Sequence, residues 1–347
     1  MDEINSSTPE ISPSPNPEPP QEPLERVVTE IFLGPNGIRA GWRLLIFLII
    51  VACLEVLLSV VVMAVTHRRV TPPEGELTPQ MELFGEGILF LSVLLAAWIM
   101  SKMERRRIAD YGLPIRQAFR GQFWQGVAIG FASITALLCA MRLAGVFHFG
   151  SLALQGAAIW KYAAAWALAF LVVGFFEEFS VRGYPLFTLT TGMTFWPSAI
   201  LLSIFFGLGH RGNSGEDWVG VATAGGVGLL FALLLRRTGN LWMPIGFHAA
   251  WDWGQTYFYG VADSGLIGKG HLLNSTTYGP RWLSGGSVGP EGSWLCVFLL
   301  IILAVIFAIW LPEAKYPSAE AVARRPAFGA PAVRPENLPS MFPPSAT

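Results

Sequence analysis

Two textures alternate along the chain. Residues 1–30 and 312–347 are rich in Pro with Ser, Glu or Ala, and the residues between them run in long apolar stretches broken by short polar links. A helix that crosses a bilayer needs about 20 predominantly apolar residues. Stretches of that kind recur at 41–65, 83–101, 122–147, from 160 onward, 195–210, 218–236, 240–260 and 293–311. The expected architecture is therefore all-α: a polytopic membrane protein of about eight transmembrane helices. No repeat of fixed period is visible, which argues against a solenoid or an inverted-repeat transporter. The two terminal stretches lack the apolar surface for a core and are expected as disordered tails. The first is acidic, with no apolar core directly after it, and so does not read as a signal peptide.

Composition narrows the class. Of 347 residues, 52% are hydrophobic and 14% charged, with a mean hydropathy of +0.48. A soluble domain carries roughly 25% charged residues. A net charge of -1 speaks against a nucleic-acid partner. Cys53, Cys139 and Cys296 lie far apart in apolar runs and are expected as buried membrane thiols, with no disulfide framework or CxxC metal site.

Orientation follows from the basic links. Arg39 and Arg43 precede the first span, and Lys102, Arg105, Arg106, Arg107, Arg116 and Arg120 follow the second. Arg236 and Arg237 follow the sixth, and Lys315, Arg324 and Arg325 the eighth. With eight spans all of these fall on one side, which the positive-inside rule makes cytoplasmic. His67, Arg68 and Arg69 dissent, accompanied by the acidic Glu74, Glu76 and Glu82 of the same outer link. Both termini are thus expected in the cytoplasm, residues 261–292 outside, and the protein in the plasma (inner) membrane. The segment 105–119 reads as a basic amphipathic connector, in which an anionic-lipid site is a minor reading. The organisation is a tail (1–30), N-terminal helices with the connector (38–159), a motif-bearing core (160–256), an outer loop with the last helix (257–311) and a second tail (312–347).

Charges interrupt the fourth span. Glu177, Glu178 and Arg182 follow an unbroken apolar run from Ala163 to Phe176. Three bare charges in mid-membrane would cost about 7–10 kcal/mol even on the lenient insertion scale. Either they end the helix in water, or they face the bundle and are paired. The apolar pattern resumes after Arg182 and runs to about residue 190, with Pro185 as a kink point, which favours the second arrangement. Glu178 and Arg182 stand at i, i+4 with the acid first, suited to an ion pair. Glu177 points about 100° away and is left to face a site.

Two of the five histidines lie in apolar runs. His210 ends a span. His248 and Asp252 share one helix face at i, i+4. At about 1.5 Å per residue, Glu177 and His210 reach a similar depth of about 20 Å, whereas His248 is shallower and needs tilt or an access loop around Pro244 and Gly246. His67 and His271 belong to outer loops and His148 to a span end.

In order, these motifs read Glu177-Glu178-Phe-Ser-Val-Arg182, Phe206-Gly-Leu-Gly-His210 and His248-Ala-Ala-Trp-Asp252. They resemble EExxxR, FxxxH and HxxxN/D of the CAAX protease and bacteriocin-processing family, also called the Abi or type II CAAX prenyl endopeptidase family, over roughly residues 160–256. The resemblance implies an eight-helix intramembrane endopeptidase. It makes Glu177 the catalytic glutamate, Glu178 the second acid, and His210 and His248 the catalytic histidines. Asp252 takes a position where Asn is usual. An ionised Asp does not donate to an oxyanion as an amide does, so this residue either acts protonated, orients His248 or ligates a metal.

Peptide hydrolysis needs a base for water, an acid for the leaving amine and a donor for the oxyanion. No GxSxG motif or partnered cysteine offers a protein nucleophile. Water activated by Glu177 with His210 is expected, with His248 and Asp252 at the oxyanion. The substrate expected is a membrane-associated protein or peptide, prenylated or not. His210, His248 and one carboxylate, Glu177 or Asp252, also supply the three ligands of a catalytic zinc site, while the same residues suffice for a metal-free glutamate mechanism. The rival readings are a proton-coupled transporter, a bis-histidine haem protein, and a non-catalytic scaffold or immunity-type protein.

Overall fold

The computed structural model describes residues 27, 30–34, 37–66, 77–213 and 215–316. Both expected tails beyond these bounds, and the link holding His67, Arg68, Arg69, Glu74 and Glu76, lie outside the described residues.

The fold is all-α and polytopic, as the hydropathy pattern requires when backbone polar groups have no water to bond. Its helices are α1 (Ala40–Thr66), α2 (Pro79–Met103), α3 (Gly121–Leu143), α4 (Ala157–Arg182), α5 (Tyr184–Met193) and α6 (Phe195–Gly209), then α7 (Trp218–Thr238), α8 (Trp242–Asp252), the short α9 (Arg281–Ser284) and α10 (Trp294–Trp310). Five segments are long and apolar enough to cross a membrane: α1, α2, α3, the run Ala157–Met193, and α7. The other three expected spans coincide with α6, with α8 and its extension, and with the 17-residue α10.

Local signals set the helix ends. Thr78 caps α2 by accepting from the Met81 N–H, with Pro79 in the first turn. Asp217 caps α7 by accepting from the N–H groups of Val219 and Gly220, and Gly239 closes it in the left-handed region at φ 82°. The expected continuous helix to about residue 190 is broken at Gly183, and Pro185, which has no N–H to give, falls in the first turn of α5. Beyond Asp252 the chain widens into a π-helix, Trp253–Tyr259.

Glycine sets the closest helix contact. Gly126 and Gly130 of α3 lie against the backbone of Met243 and Phe247 in α8, and Gly246 of α8 lies against Phe123 and Val127 of α3. Without a hydrophobic force between helices in lipid, such small-residue seams let dispersion do the work.

Two ends of the bundle are chemically distinct. At one end Arg43 of α1 donates to both oxygens of Glu104, at 2.9 and 2.6 Å, and the hydroxyls of Tyr111 and Tyr184 donate to the same carboxylate at 3.0 and 2.5 Å. Four charge-assisted bonds on one buried acid tie α1, the end of α2, the connector and α5 together. The Lys315 N–H bonds to the Arg236 carbonyl, and Asn240 bonds to Gln117 and Gln122. The basic links after α2, α7 and α10 therefore share this end. The connector is built of two 3₁₀ turns, Ile108–Tyr111 and Ile115–Gln117. At the other end β1 (Phe147–His148) pairs antiparallel with β2 (Thr276–Thr277), fastening the long loop after the π-helix over the bundle.

One expectation is corrected by burial. Cys296 is buried, but Cys53 and Cys139 are exposed on the outer faces of α1 and α3, because the bundle is only a few helices thick and the lipid-facing side of each helix is as apolar as its core side.

Candidate functional site

The break at Gly183 ends α4 directly after Arg182, the last residue of its charged cluster, and leaves Glu178 and Arg182 inside the bundle, 0% and 1% exposed. Arg182 Nη1 donates to Glu178 Oε1 at 3.0 Å, the pair expected from i, i+4 spacing. Its guanidinium stacks over the Phe206 ring at 4.4 Å and faces Phe231 at 5.8 Å. Arg182 Nε and Nη2 and Glu178 Oε2 have no hydrogen-bond partner.

Glu178 has a second task. Its Oε1 also accepts from His248 Nδ1 at 3.0 Å, across from α4 to α8. With Nδ1 spent there, Nε2 is turned to the opposite side, 3.6 Å from Glu177 Oε2 and 3.5 Å from Asp252 Oδ2. These separations exceed a good hydrogen bond and leave an inserted water or substrate atom free to satisfy all three groups. Glu177 is the more accessible of the two glutamates, its side chain 24% exposed against 0%.

His210 sits where α6 passes into a 3₁₀ turn, and its Nδ1 lies 2.8 Å from the Phe206 carbonyl. A carbonyl only accepts, so Nδ1 carries the hydrogen and Nε2 is left to the cavity. Phe206 thus serves both the His210 backbone contact and the Arg182 stack. Depth counting put Glu177 and His210 at one level; both line this space, and the helix packing also brings His248 against Glu177.

That space is a cavity of about 850 Å³ whose lining includes Glu177, His210, His248 and Asp252. It also includes carboxylates the motifs do not name: Glu82 and Glu86 of α2, Glu216, Asp263 and Glu291. Glu82 was assigned to an outer link; it belongs to the first turn of α2 and faces the cavity. Asp263 accepts from the Thr256 hydroxyl at 2.9 Å and Glu291 from Trp251 Nε1 at 3.0 Å. Burial pushes the Asp263 carboxyl well above the usual range, and the nearby acids Asp252 and Glu291 push the same way. Burial also raises Glu216, against the lowering effect of the Asp217 N–H. Solitary carboxylates in apolar runs or loops carry no spacing, although Glu82 and Glu86 at i, i+4 within the second span were a readable signal.

The donor set does not favour zinc. Among the described residues, the acids and histidines whose ligand atoms come within 4.8 Å of one another as a group of three are Asp252, Asp263 and Glu291. Three carboxylates suit a hard cation; the histidine-based set of His210, His248 and Glu177 or Asp252 is not gathered to that degree.

No curated protein matches the chain. Residues 158–254 match the family model described as type II CAAX prenyl endopeptidase Rce1-like. All seven motif residues, from Glu177 to Asp252, fall inside that stretch, and the match supports the CAAX protease family for this part of the chain.

Proposed function

We propose that the chain is an intramembrane endopeptidase that hydrolyses a peptide bond of a membrane-associated protein or peptide with water as nucleophile. The family match over residues 158–254 supports a CAAX-type endopeptidase, and the residue roles are proposed from the motif resemblance together with the contacts of His248. The observation that carries them is the two-sided placement of His248, tied through Nδ1 to Glu178 and open through Nε2 towards Glu177 and Asp252.

In this mechanism a water held between Glu177 and His210 Nε2 loses a proton to the Glu177 carboxylate as its oxygen adds to the scissile carbonyl. His248 Nε2–H donates to the oxyanion that forms, and Asp252 and Glu178 steady the ring's positive charge from either side. Glu177 then returns the proton to the leaving nitrogen as the C–N bond breaks. Glu178 and Arg182 do not touch substrate in this scheme; they aim His248. No step runs through a metal.

The basic end of the bundle supports an orientation with both termini in the cytoplasm and residues 261–292 outside, in the plasma membrane. Newly formed protein termini in membranes bearing the wild-type chain, compared with membranes bearing Glu177→Gln, test the activity. Termini that appear only with the wild type support it. Identical sets would leave the fold as a scaffold or transporter, which charge-coupled uptake in vesicles would then separate.

A further inference from the structure

The cavity carries an excess of acid that the hydrolytic scheme does not use. Five carboxylates, Glu82, Glu86, Glu216, Asp263 and Glu291, line it in addition to Glu177 and Asp252, and no lysine or arginine is among the lining residues described. The nearest buried cation, Arg182, is spent on Glu178 and on the Phe206 ring.

Glu82 and Glu86 are the most telling pair. Both stand on one face of the apolar helix α2 at i, i+4, where two ionised carboxylates would repel each other and weaken the helix. The positive end of the helix dipole offsets Glu82 in the first turn, and that field fades within one turn. Glu86, one turn deeper, has no such relief, and its Oε2 is buried with no hydrogen-bond partner. Ionisable groups at membrane depth are costly and persist where a partner answers them. Within this cavity one such group of the chain, the His248 ring, is already flanked by Glu177, Glu178 and Asp252.

We infer that Glu82 and Glu86 form a subsite for a cationic side chain of the substrate, a lysine or arginine close to the scissile bond. This rests on the endopeptidase reading and adds the substrate class to it. An entering ammonium or guanidinium bonds the Glu86 oxygen that lacks a partner and relieves the repulsion between the two acids, while the apolar walls at Phe170, Val173 and Phe176 take the neighbouring residues. Glu82 and Glu86, like Asp263 and Glu291 on the loop beyond residue 254, lie outside the family-matched stretch, so selectivity comes from segments outside it.

The test uses the full-length Glu177→Gln protein in nanodiscs of zwitterionic lipid. Three fluorescent apolar decapeptide pools are titrated by anisotropy, with the central position fixed as lysine, acetyl-lysine or glutamate. The lysine pool is expected to bind at least about tenfold more tightly than either other pool, equivalent to about 1.4 kcal/mol. Adding Glu82→Gln and Glu86→Gln is expected to reduce that preference below about threefold without lowering the melting temperature, because repulsion is removed. The single Glu86→Gln variant provides the same reading if the double variant folds poorly, with a loss of at least about threefold. Equal affinities, no binding of any pool, or a preference untouched by the variants would overturn the subsite. Cleavage of the three pools by the wild-type protein is measured separately. Lysine-selective binding without cleavage would count against the protease reading alone, and cleavage without lysine preference against the subsite alone.

Discussion

The Glu178 carboxylate and the His248 imidazole meet at 3.0 Å, Oε1 to Nδ1, and this contact decides which nitrogen of the ring faces the cavity. The same oxygen holds Arg182 at 3.0 Å, so one buried atom joins the charged turn of α4 to the histidine of α8. The two adjacent glutamates thereby separate into an aiming group and a group open to substrate.

Different consequences for the two glutamates follow from that division. Glu178→Gln leaves the Arg182 charge buried without its counter-ion, a change that costs about 3–5 kcal/mol in comparable buried pairs. Glu177→Gln removes a charge with side-chain access to the cavity and leaves that pair intact. Thermal melts in detergent are expected to fall steeply for Glu178→Gln and to stay within a degree or two for Glu177→Gln. Equal melts for the two variants would defeat the distinction.

The seam between α3 and α8 gives a prediction independent of chemistry. A Cβ added at Gly126 or Gly130 would collide with the Met243 or Phe247 backbone, which has no flexible side chain to move aside. Gly126→Ala and Gly130→Ala are each expected to destabilise by about 1–3 kcal/mol, the usual cost of overpacking. Because α8 carries His248, residual activity should fall further than folded yield. Melting curves and activity per folded molecule check both statements.

Much of this was legible in the sequence, because the carrying signals are periodic. Apolar run length located the helices, and i, i+4 spacing gave the Glu178–Arg182 pair and the His248–Asp252 face. The His248–Glu178 bond was not legible, since it depends on how the glycines of α3 and α8 set helix separation. Depth counted along straight helices put Glu177 and His210 at one level, and both line the cavity; it put His248 shallower, yet His248 Nε2 lies 3.6 Å from Glu177. Glu104, which holds Arg43, Tyr111 and Tyr184 together, sits among basic residues that read as a solvated link. Asp263 and Glu291 reach the cavity only because a long loop folds back over the bundle, and no local pattern announces that.

Topology is open to a direct check. In a background with all three cysteines replaced by serine, Thr276→Cys places one thiol on the exposed position of β2. A membrane-impermeant maleimide is expected to label it from outside intact cells, as the basic opposite end of the bundle requires. Labelling from the inner side alone would reverse the orientation.

The central claim is that Glu177 activates water without help from a metal. The most direct measurement is the turnover of one identified cleaved peptide by purified, chelator-washed protein, with metal content determined on the same sample, for the wild type and Glu177→Gln. The account expects full wild-type turnover with less than about a tenth of an equivalent of any transition metal. It expects a fall of about 10²–10⁴-fold on Glu177→Gln, the range a general base supplies. Turnover that vanishes on chelation and returns with zinc, or a Glu177→Gln protein within about threefold of the wild type, would contradict it.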